Sequence, residues 1–181
     1  MAEYPTTRLM NTSIVLTIIA EDKPGIVKTV SEVLYQHGGS WTQSSMSSLA
    51  GQFAGILLAS VPAENAEACV EALHGLETAG ISVTAHVSNA DVETGDTREY
   101  TLDLVGNDRK GILHDMTTIL ERHDVNVQDL ETLVESASMG GGELFKAKAQ
   151  LVVPASANID LLESELEELA NELMVDIVFR N

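Results

Sequence analysis

Across 181 residues the chain carries 10 Lys and Arg against 28 Asp and Glu, a net charge of −18. A protein that grips a phosphate backbone needs clustered Lys and Arg, so this balance argues against direct nucleic-acid binding. A hydrophobic content of 44% with few aromatics is that of a globular protein, and it excludes disorder and fibrous architectures.

The charge is uneven: residues 1–90 hold 3 basic and 8 acidic side chains (−5), and residues 91–181 hold 7 and 20 (−13). Residues 1–12 read as an N-terminal extension without the basic start and apolar stretch of a secretory signal. The longest apolar run, Phe53 to Val61, falls well short of the roughly 18 residues a membrane helix needs. Cys69 is the single cysteine and lies at a periodic apolar position, so it reads as a small buried hydrophobe. The expected location is the cytoplasm, with no membrane partner.

The first element, over residues 13–19, alternates as a strand with Ile14, Leu16 and Ile18 on one face. Asp22-Lys23-Pro24-Gly25-Ile26 then hands the strand to a helix whose buried stripe is Ile26, Val27, Val30, Val33 and Leu34. Two strand-like runs follow, Ser40 to Leu49 and Phe53 to Val61. A weak helix around Ala66, Val70, Leu73 and Leu76 comes next, then a strand alternating at Ile81, Val83, Ala85 and Val87. Residues 89–97 are polar and acidic and read as a linker.

The same order then returns. Tyr100, Leu102 and Leu104 alternate as a strand, and Asn107-Asp108-Arg109-Lys110-Gly111-Ile112 repeats the handover 86 residues after the first, Gly25 matching Gly111. A helix with the stripe Ile112, Leu113, Met116, Ile119 and Leu120 leaves that loop, and His37 and His123 coincide at the two helix ends. Val125 to Val134 and Phe145 to Val153 are the next two strands. The six extra residues between them place a longer, mobile hairpin connection at 136–142. A strong helix over Ile159 to Leu173 and a strand alternating at Leu173, Val175, Ile177 and Phe179 close the copy.

Each copy thus reads βαββαβ. The predicted class is α+β, with two tandem ferredoxin-like domains at 13–88 and 98–181, each an antiparallel four-stranded sheet with both helices on one face. The other sheet face needs cover from the partner domain or from a second chain, so a homo-oligomer is one expected assembly.

With these loops and this element order, the chain resembles a tandem of ACT domains, small ferredoxin-like modules that bind amino acids and regulate metabolic enzymes and transcription. The resemblance rests on Asp22-Lys23-Pro24-Gly25-Ile26 and Asn107-Asp108-Arg109-Lys110-Gly111-Ile112, and it covers about Ser13 to Phe179, which leaves no room there for a catalytic domain. Two such modules at this length resemble the glycine cleavage system transcriptional repressor family. That resemblance implies a non-enzymatic regulator that responds to glycine or a similar amino acid and contacts a basic DNA-binding activator of the LysR type. The alternative is a stand-alone regulatory subunit that binds an amino acid and controls a metabolic enzyme.

Both loops suit that ligand chemically. Free N–H groups at a helix start can receive a carboxylate, glycine lets the backbone approach closely, and Asp22, Asp108 or Asn107 can accept from an ammonium. The competing reading is structural: Asp caps the helix, Pro24 sits in its first turn and glycine permits the turn. Pro24 lacks an N–H, whereas Lys110 keeps its own and stands beside Arg109, so the second loop is expected to bind anionic groups more tightly.

Other chemistry lacks its residues. The histidines His37, His74, His86, His114 and His123 show no metal-like spacing with Cys69, and no nucleophile stands beside a credible base. No metal, no cofactor and no catalytic residue is expected.

Overall fold

The alternation at Ile14, Leu16 and Ile18 is realised in β1 (Asn11–Glu21), which buries those three side chains completely under two helices. The elements that follow it are α1 (Ile26–Gln36), β2 (Ser40–Leu49), β3 (Gln52–Pro62), α2 (Ala66–His74) and β4 (Ile81–Ser88). The second copy comprises β5 (Thr97–Asn107), α3 (Ile112–Arg122), β6 (Asn126–Ser136), β7 (Glu143–Pro154), α4 (Ile159–Leu173) and β8 (Val175–Arg180). The computed structural model describes residues 10–88, 95–137 and 142–181. Most of the N-terminal extension and the linker, and the tip of the 136–142 connection, lie outside the described residues.

The chain divides into two units, Met1–Asp91 and Val92–Asn181, each with its own sheet. The strand orders are β2-β3-β1-β4 and β6-β7-β5-β8, and every adjacent pair is antiparallel. This is the ferredoxin-like plan expected from the element order. Even the irregularities repeat, since β2 is bulged between Trp41 and Gln43 and β6 between Val127 and Asp129. A bulge at the same step of the same edge strand shows how closely the copies share a register.

The first core packs Ile14, Leu16 and Ile18 of β1 and Leu57, Ala59 and Val61 of β3 against Val30 and Leu34 of α1 and Cys69 and Leu73 of α2. Burial pushes the Cys69 thiol up, because a thiolate there would lose its hydration. The second core repeats this scheme with Leu102, Leu104, Ala149 and Leu151 beneath Met116, Leu120, Leu162 and Leu166. Residues of opposite parity on the strands face away from the helices.

Two element ends differ from the pattern read in the sequence. Leu173 is the last residue of α4 and is buried in the core, so β8 begins at Val175 after a single left-handed residue, Met174 (φ +54°). α4 thus ends where its leucine stripe placed the end, and only the start of the closing strand moves, from Leu173 to Val175. The weak helix ends at His74, and Gly75–Ala79 continues it as a 3₁₀ turn in which Leu76, the last residue of the expected stripe, still packs against the core.

Candidate ligand loops

Both loops leave the sheet in the same way. The Asp22 N–H donates to the Gly51 carbonyl (2.9 Å), and the Asp108 N–H donates to the Glu143 carbonyl (2.8 Å). Each loop is thereby stitched to the start of its neighbouring strand. Gly51 belongs to a tight two-residue hairpin turn in which Ala50 and Gly51 both take positive φ, 50° and 78°.

The helix cap is then made by glycine. Gly25 and Gly111 take φ of +102° and +96°, and neither helix start receives a side-chain cap. The first intrahelical bonds run from Thr29 N–H to the Gly25 carbonyl and from Asp115 N–H to the Gly111 carbonyl, both 2.9 Å. The N–H groups of Ile26, Val27 and Lys28, and of Ile112, Leu113 and His114, come before those bonds and have no carbonyl within the helix to meet. By contrast, α4 is capped by the Asn158 side chain, which accepts from the Leu161 N–H at 3.2 Å.

This geometry corrects the structural reading of the aspartates. Asp22 stands three residues ahead of the cap and its carboxylate accepts from the Ser48 hydroxyl at 2.5 Å, so it does not cap the helix. Pro24 likewise lies outside the helix, ahead of Gly25, so its missing N–H removes nothing from the donors of the first turn. The distinction between the loops lies instead in their side chains. The strand position matching Ser48 is Val134, since Ser48 pairs with Phe53 as Val134 pairs with Phe145. Asp108 therefore lacks a hydroxyl there, and its carboxylate accepts no hydrogen bond from the described residues.

The second loop holds a mixed set of charges: Arg109 and Lys110, Asp108, and Asp115, whose carboxylate lies 3.7 Å from where a Cβ on Gly111 would stand. In the first loop, Lys23 reaches toward Gly80, 3.8 Å from that glycine's Cβ position, and Thr29 replaces Asp115. Reading the loop in sequence missed Ser48 and Asp115. The spacing of Asp115 four residues after Gly111 would have found it, because that step is one helical turn.

A groove of about 440 Å³ opens beside the second loop between α3 and α4, lined among others by His114, Asp115, Thr118, Glu168 and Glu172. At its floor Glu165 Oε2 faces Arg122 Nη2 at 2.9 Å and His123 Nε2 at 3.3 Å. His37, at the matching helix end, instead bonds the Val33 carbonyl through Nδ1 at 2.8 Å. Among the described residues no group of three or more His, Cys, Asp or Glu is placed to hold a metal, and no helix is long and apolar enough to cross a membrane.

Comparison with known proteins identifies the module. The sequence model of the ACT domain matches twice, over residues 12–93 and 101–180. The chain is similar to an unknown protein from Galdieria sulphuraria, whose crystal structure superimposes with a TM-score of 0.84 at 28% identity over 94% of this chain and 98% of that one. It is also similar to a protein provisionally named a glycine cleavage system transcriptional repressor, with a TM-score of 0.65 at 20% identity over 95% of this chain and 99% of that one. The second likeness establishes shared fold. A comparison with curated protein sequences finds no match.

Proposed function

Because this chain belongs to the ACT domain family, we propose that it is a non-catalytic regulator whose loops sense a small amino acid, glycine first among them, and whose response passes to a protein partner. The observation that carries the reading is the pair of helix starts capped only by a left-handed glycine, their first-turn N–H groups left for an external acceptor. An amino acid brings a carboxylate to those donors and an ammonium that needs an acceptor close by.

The second loop is the principal site in this proposal. Its cations and carboxylates suit a zwitterion, and the Asp108 carboxylate takes no hydrogen bond from the described residues, whereas Asp22 is already held by Ser48. In the first loop the aspartate serves the loop's own shape. Asn107, Asp108, Arg109, Lys110, Gly111 and Ile112 are accordingly the binding segment, and Asp22, Lys23, Pro24, Gly25 and Ile26 a weaker counterpart.

The regulatory target follows from two considerations. The fold neighbour named for glycine cleavage repression supplies the process, and the acidity of this chain favours a basic partner such as a LysR-type activator over DNA itself. Affinity purification from native lysate with and without glycine separates this from the enzyme-subunit reading: a DNA-binding activator supports the proposal, and a metabolic enzyme alone replaces it.

Titration calorimetry tests the site. Asp108→Ala is expected to weaken amino-acid binding at least tenfold, about 1.4 kcal/mol, whereas Asp22→Ala changes it by less than threefold. Equal losses from both substitutions would refute the asymmetry, and failure of glycine and other small amino acids to bind the unaltered chain would refute the sensor reading.

A further inference from the structure

The two copies keep a common register right up to the strand end beside each loop. β1 pairs Glu21 with Gln52 and β5 pairs Asn107 with Leu144, so Asp22 and Asp108 leave their sheets at the same step. On the neighbouring hairpin Ser48 pairs with Phe53 and Val134 with Phe145. Ser48 is in step with Ser44, the partner of the fully buried Leu57, and Val134 with Thr132, the partner of the buried Ala147. Both side chains therefore rise on the helix side of the sheet, the side from which α1 and α3 start.

At this one position the copies differ in chemistry. Ser48 Oγ donates to Asp22 Oδ2 at 2.5 Å, whereas valine has no donor and the Asp108 carboxylate takes no hydrogen bond from the described residues. The backbone is indifferent to the exchange. Each loop is held by its own aspartate N–H on a strand carbonyl, at 2.9 and 2.8 Å, and each helix starts at a left-handed glycine, φ +102° and +96°. The second copy reaches this geometry without the hydroxyl. What the serine changes is the carboxylate, which it draws to the end of β2 and supplies with a donor.

We infer that the Ser48 hydroxyl stands in for a ligand's ammonium at Asp22, and that the Ser48 and Val134 pair limits the chain to one bound amino acid. The inference rests on the reading of the loops as amino-acid sites and adds the residue that closes one of them. An ammonium reaching Asp108 gives a charge-assisted bond to a carboxylate that no donor of the described fold engages. At Asp22 it has to displace a donor already in place, so that a bond is exchanged rather than gained. Ser48 is thus an autoinhibitory contact of the first loop.

Titration calorimetry of the full chain with glycine tests this, with circular dichroism reporting the fold. The unaltered chain is expected to take up one molecule. Ser48→Val, which gives the first loop the side chain of the second and suits a strand, is expected to take up two. Ser48→Thr keeps the hydroxyl and is expected to stay at one, a distinction that a merely structural serine would not produce. The reverse exchange, Val134→Ser, offers Asp108 the same internal donor and is expected to weaken glycine binding about tenfold. Should Ser48→Val misfold, Val134→Ser, at a half-exposed position, decides the matter alone. Uptake of two molecules by the unaltered chain, of one by a folded Ser48→Val variant, or unchanged affinity in Val134→Ser would each overturn the inference and leave the sensor reading standing. An unaltered chain that binds no glycine overturns both.

Discussion

Gly25 and Gly111 hold φ near +100°, where a Cβ is disfavoured whatever the space around it. At Gly25 nothing lies within 4 Å of an added Cβ, so the penalty there is one of backbone conformation rather than crowding. Gly25→Ala and Gly111→Ala are each expected to lower stability by about 1–2 kcal/mol, read as a lower urea midpoint at constant slope. No change at either position would mean that the loop relaxes to negative φ. The glycines were legible in the sequence because they recur in matching context. The engagement of Asp22 was not, because Ser48 lies 26 residues away and reaches it only once β2 has paired with β3. The capping role expected of Asp failed for a related reason: the left-handed glycine starts the helix three residues later.

At the scale of elements, α4 shows competing terms. Glu163 with Glu167 and Glu168 with Glu172 are like-charged pairs one turn apart, each unfavourable by about 0.2–0.5 kcal/mol, while Asn158 supplies the cap that α1 and α3 lack. Asn158→Ala is therefore expected to destabilise the second unit by about 1 kcal/mol, measured by thermal melting, and an unchanged midpoint would show that water replaces the cap. The helix itself was plain from the spacing of Leu162, Leu166, Leu169 and Leu173, which is a local property of the chain. The start of the following strand was not, because Leu173 fits a helix stripe and a strand alternation equally well. The left-handed Met174 decides between them, because it separates Leu173 from the strand that starts at Val175.

For the whole molecule the dominant long-range term is self-repulsion. A net charge of −18 opposes compactness, and raising ionic strength from about 0.01 M to 0.15 M shortens the screening length from about 30 to 8 Å. The melting temperature is expected to rise over that interval; a fall would mean that surface pairs such as Arg122–Glu165 and Asp103–Arg180 outweigh the repulsion. The sequence by itself determined the number of elements, their types, their order and their duplication, because apolar spacing and turn residues act within a few positions. Only the tertiary structure decided which residues meet across the sheet: Ser48 with Asp22, and Val134 in the matching place of the second unit. Those contacts join segments separated by tens of residues, and pairing register, which no local pattern encodes, is what brings them together.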